Sequence, residues 1–204
     1  MKTQMKALTA VFGACMMLVS GVSVADSNYG YNTSAPAATA VSANASLNIT
    51  INIPKLLVLR VGTANAIDTL TFTGVPSIAT TPNPVATTGN NQAADWDASA
   101  PSFGVNTLGA VSAYLWHNNA TAGASLSCSA TGFTGGLTSA DVTVTAGAGL
   151  AHPGGTTACA APLTALARNT VHTGSWTYAA NASAFAGAAP GAHTEVVTYT
   201  ATTL

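Results

Sequence analysis

Apolar residues in this chain recur at every second position in short runs, and no stretch of about a dozen residues carries the three- and four-residue spacing of an amphipathic helix. Such a chain can build a core only from strands. Leu47, Ile49, Ile51 and Ile53 alternate with Asn48, Thr50 and Asn52, so an extended backbone puts the aliphatic side chains on one face and the polar ones on the other. Pro54 ends this run. Leu56-Leu57-Val58-Leu59 follows as a continuous apolar strand, and Leu70 and Phe72 between Thr69, Thr71 and Thr73 predict another. Strand patterns return at 110–117, 126–130, 142–144, around Trp176 and Tyr178, and at 195–203. Between them, 74–102 carries Pro76, Pro82, Pro84 and Pro101 and reads as a long surface connection with room for one short strand. The stretch 147–162 reads as a Gly, Ala and Pro loop, while 164–168 and 179–188, rich in Ala, predict single helical turns. The fold class expected is all-β, an antiparallel β-sandwich.

The N-terminus reads as an export signal. Lys2 and Lys6 precede a mostly apolar stretch at 7–19, and Ser23-Val24-Ala25 supplies a small-x-small cleavage pattern, so residues 1–25 are expected to be removed and the mature chain to begin at Asp26. Residues 26–44, with Tyr29, Tyr31 and Pro36 among small polar residues, read as a flexible leader, and 45–204 as a single domain. Later stretches are too polar to cross a bilayer, so no integral membrane span is expected. Export places the protein in the periplasm or at the cell surface of a bacterium.

Charged residues are 5% of the chain, against about 25% in an ordinary globular domain. Beyond the signal the cations are Lys55, Arg60 and Arg168, too few to neutralise a phosphate backbone, so nucleic acid is not an expected partner. A surface of Thr, Ser, Asn, Ala and Gly also has little charge repulsion to oppose self-association. Groups for chemistry are equally sparse. His117, His152, His172 and His193 do not fall at HxH or HExxH spacing, so no metal site is predicted, and Asp95-Trp96-Asp97, the close carboxylate pair, lacks the Gly-rich oxygen-donor loop that calcium needs. Without GxSxG, GxxxxGK[ST] or GxGxxG, the sequence predicts neither catalytic residues nor a cofactor.

Cys15 lies in the signal, so Cys128 and Cys159 are the thiols left, and in an oxidising compartment they are expected to pair.

The closing run Thr194-Glu195-Val196-Val197-Thr198-Tyr199-Thr200-Ala201-Thr202-Thr203-Leu204 resembles the last strand of bacterial pilins and spore-coat-U-like secreted subunits, which end in an alternating strand with a Tyr near the terminus. The signal, the length and the Thr/Ala/Gly/Asn bias fit the same resemblance. It implies an immunoglobulin-like sandwich lacking one strand, completed by an N-terminal alternating segment from the next subunit, with a periplasmic chaperone and further copies of the chain as partners. Residues Leu47, Ile49, Ile51 and Ile53 have the pattern of that donor strand, and Val197, Tyr199 and Ala201 would form one face of the last strand. The first strand of a complete sandwich carries the same pattern. The alternative is a secreted binding module in which Trp96, Tyr114, Trp116 and Trp176 form an aromatic platform for carbohydrate or another ligand.

Overall fold

Alternation finds its partner almost everywhere along the chain. A computed structural model describes residues 26–33, 40–79, 88–119 and 123–204, and among these nine β-strands form, every pairing antiparallel. The expected signal segment, 1–25, lies outside the described residues. The chain divides into two units, Met1–Ile53 and Pro54–Leu204. The described residues of the first carry no helix or strand, and there the Asn28 side chain donates to the Asn44 carbonyl at 2.7 Å. All nine strands belong to the second.

The larger sheet has the order β1-β4-β8-β6, formed by β1 (Leu57–Val61), β4 (Val111–His117), β8 (His172–Ala180) and β6 (Val142–Ala146). A second sheet has the order β7-β5-β9, formed by β7 (Leu163–Leu166), β5 (Ala124–Ala130) and β9 (Val197–Thr203). A separate hairpin joins β2 (Gly74–Ser77) to β3 (Ser102–Val105). Ala113 and Leu115 of β4, Val142 and Val144 of β6, and Trp176 and Tyr178 of β8 share one buried core with Ala124 and Leu126 of β5. The alternate positions of β8, Thr173, Ser175 and Thr177, face solvent, which explains a surface that is polar yet uncharged. Helix is limited to 3₁₀ turns at Ser139–Asp141 and Ala182–Ala186.

Loop 147–162 closes the β6 side. Cys128 on β5 is bonded to Cys159, with Cα atoms 5.3 Å apart, while Val144 N–H donates to Gly155 O at 2.8 Å and Thr157 N–H to Val142 O at 3.0 Å. The outer edge of β6 is thereby covered rather than left as a row of open backbone groups.

Two expectations need correction, and a third is met in part. Residues 69–73 form no ladder because the Asn106 side chain takes the partner's place: Thr73 N–H donates to its Oδ1 at 2.7 Å and its Nδ2 donates to Thr71 O at 3.1 Å. Pairing starts one residue later, at Gly74 opposite Val105, so the expected connection 74–102 is itself bounded by the β2–β3 hairpin. The helical turn expected at 164–168 is replaced by β7, whose register on β5 shifts between Ala124 and Leu126; Ala165, at φ 57°, is the extra residue of that bulge. Within 179–188 the strand β8 persists to Ala180, and the 3₁₀ turn that follows is capped by Asn181, whose side chain accepts from Ser183 N–H.

Candidate functional site

Tyr199, at the centre of β9, joins the two sheets. Its ring centroid lies 5.2 Å from that of Trp176, and its hydroxyl is 2.7 Å from Tyr178 Oη and 2.8 Å from His152 Nε2. His152, on loop 147–162, meets Trp176, Tyr199 and Tyr178 edge-on at 4.9, 5.5 and 6.1 Å. Burial holds the imidazole below its ordinary pKa and pushes both phenols above theirs, so all three groups stay neutral over the middle pH range. His152 Nδ1 is buried without a hydrogen-bond partner, and Trp176 Nε1 donates to Leu150 O at 2.9 Å. The cluster is largely buried and fastens the loop and β9 to β8.

Beside it, the single Glu of the chain is a brace. Glu195 accepts from the hydroxyls of Ser139 and Thr157, tying the entry of β9 to the same loop.

The other side of β9 is open. Val196 is turned to β5, its carbonyl accepting from Thr131 N–H at 3.1 Å and its N–H donating to Thr131 Oγ1 at 3.0 Å, and Leu204 N–H donates to Gly123 O at 3.1 Å. Alternation therefore turns the backbone N–H and C=O of Val197, Tyr199, Ala201 and Thr203 outward, where no strand pairs with them among the described residues. Across the layers, Leu57, Leu59 and Val61 of β1 point inward but remain only partly buried. An edge of open hydrogen-bonding groups thus borders a row of half-covered aliphatic side chains.

Leu47, Ile49, Ile51 and Ile53, the expected donor residues, are 75–79% exposed and belong to no strand. Their segment spans seven residues, as does β9.

The expected aromatic platform does not assemble around Trp176, which is completely buried in the core. Tyr114 and Trp116 lie on the opposite, outer face of β4, where Arg60 covers the Tyr114 ring at 4.1 Å. Trp96 is exposed in the connection after β2, its Nε1 donating to Ser99 O, and Asp97 beside it is spent on Ser99, whose hydrogen bonds lower its pKa. The histidines are dispersed: His117 Nε2 lies 2.9 Å from Leu166 O, His172 Nε2 2.9 Å from Ala167 O, and His193 Nε2 2.7 Å from Ala189 O. Among the described residues no three His, Cys, Asp or Glu side chains converge, and no helix is long and apolar enough to cross a membrane.

Sequence reasoning missed the His152–Tyr199–Tyr178 cluster, because its members lie on three elements far apart in the chain. It also missed Asn118, whose side chain bonds the backbone of 54–56. Asn118-Asn119 directly after an alternating strand was the available signal. No family model, curated protein or solved structure matches the chain.

Proposed function

We propose that the chain is an exported, non-enzymatic structural subunit of a bacterial surface assembly: an immunoglobulin-like sandwich short of one strand, whose open β9 edge takes the arm 47–53 of the next copy. The observation that carries this reading is the pairing of opposites. Four alternating aliphatic side chains stand 75–79% exposed, while β9 presents unpaired backbone groups beside half-buried Leu57, Leu59 and Val61. Burying each arm side chain is worth ~1.5–3 kcal/mol, and the added ladder satisfies the edge. The signal-like pattern of residues 1–25 and the Cys128–Cys159 disulfide support export, and a periplasmic chaperone would cover the same edge before assembly.

Sedimentation of the chain, expressed with its leader and recovered from a bacterial periplasm, tests this. Wild type should form a concentration-dependent ladder of oligomers, and Ile51→Asp should give a folded monomer. A wild type that stays monomeric at every concentration, together with an Ile51→Asp chain that unfolds, would show that the arm belongs to its own subunit's core.

A further inference from the structure

We propose that segment 155–159 is a removable cover on the outer edge of β6 and that the Cys128–Cys159 disulfide is its latch, so that reduction by a thiol bares this edge while the rest of the sandwich stays folded. The two halves of loop 147–162 are held by different partners. Gly147 N–H donates to Ser175 O at 2.7 Å and Leu150 N–H to Thr173 O at 2.6 Å, which seats the first half on β8 beside the His152 cluster. The second half lies on β6: Val144 N–H donates to Gly155 O, Thr157 N–H donates to Val142 O, and Thr156 bridges to Thr143. Gly154 and Gly155 join the halves, so the chain can bend there at little steric cost.

Segment 155–159 is a lobe with a narrow neck. At Gly154, where φ is +108°, an added Cβ would come 2.6 Å from Ala160 N, so the chain leaving the lobe passes directly against the chain entering it. The disulfide sits at this neck: Cys159 closes the lobe, and Cys128 Sγ lies 3.3 Å from Pro153 O. Cys159 holds φ at 60°, in the left-handed region that a residue with a Cβ rarely enters. Cutting the bond removes the tether that holds this turn. The cover then keeps two backbone bonds to β6, the Thr156 bridge and the contacts of the Thr157 hydroxyl with Ser139 O and Glu195. Both cysteines are half-buried, which leaves them within reach of a small dithiol. One thiolate of the dithiol attacks a sulfur of the pair, and its second sulfur closes the reagent into a cyclic disulfide. Two electrons thereby pass to Cys128 and Cys159, which are left as thiols. What is bared is the outward Val142 C=O and Val144 N–H of an edge strand.

Amide hydrogen exchange of the oxidised chain from Asp26 onward, with and without dithiothreitol, tests this, with alkylation of the two thiols reporting reduction of the folded protein. On reduction the amides of Val144 and Thr157 should exchange at least about tenfold faster, while Gly147 and Leu150, which donate to β8, keep their protection. Cys128→Ser with Cys159→Ser should show the same pattern without reagent; if that variant fails to fold, reduction of the folded wild type decides. Any of three results would overturn the latch: a bond that resists dithiothreitol until the chain unfolds, a reduced chain whose Val144 and Thr157 are as protected as before, or a loosening that Gly147 and Leu150 share in equal measure.

Discussion

Replacing Tyr199 with Phe keeps the ring 5.2 Å from Trp176 and removes only the hydroxyl that reaches His152 Nε2 and Tyr178 Oη. Two buried polar groups then lose a partner. His152 is 6% exposed, and its ring would lose the side-chain hydrogen bond that Nε2 makes. At ~1–3 kcal/mol for each unsatisfied group, the expected loss is about 2–6 kcal/mol, seen as a lower urea midpoint at unchanged m. The pH profile gives a second reading. The folded pKa of His152 lies below its ordinary 6.5, so the unfolded chain binds more protons under acid conditions: the stabilisation is full above pH 6.5 and declines as pH falls through that value. Tyr178 and Tyr199 lie above their ordinary 10.0, so their contribution is full below pH 10 and is lost as pH rises past it. Tyr199→Phe should therefore flatten the alkaline limb and keep the acid one. A loss under about 0.5 kcal/mol, or an alkaline limb as steep as wild type's, would refute the bridge.

Cys128→Ser with Cys159→Ser should cost roughly 3–4 kcal/mol in the chain-entropy picture, given their separation of 31 residues, and thiol titration of the unfolded, unreduced chain from Asp26 onward should find no free thiol. Gly149 holds φ at +98°, and an added Cβ would run into Thr173 O. Gly149→Ala should lower stability by about 1–3 kcal/mol and loosen the Leu150 N–H to Thr173 O bond, which amide exchange would detect.

Strands with a wet face and a dry face were plain in the sequence. β4, β8 and β9 fall where Tyr114, Trp176 and Tyr199 stand in alternation, because period two is the direct imprint of a half-buried sheet. β7 was hidden because Leu163-Thr164-Ala165-Leu166 contains a bulge, so its two leucines fall three apart and mimic a helical turn. The strand expected at 69–73 was displaced by Asn106, a contact across more than thirty positions that no local pattern records. The cysteine pairing was readable because only two of the three cysteines lie beyond the expected signal segment. Alternation at 47–53 says that a face needs covering, whereas the molecule that covers it is set by contacts no local pattern encodes.

Trp176 gives the fold an optical gauge. It is the tryptophan sealed from water, while Trp96 is 58% exposed and Trp116 is partly exposed on an outer face. Blue-edge emission should therefore come from one indole, bonded to Leu150 O and edge-on to His152. A charged imidazole quenches a neighbouring indole. Dimming without a red shift would report protonation of His152 with loop 147–162 still seated, and a red shift would report its release, two events separable by colour in one unlabelled sample.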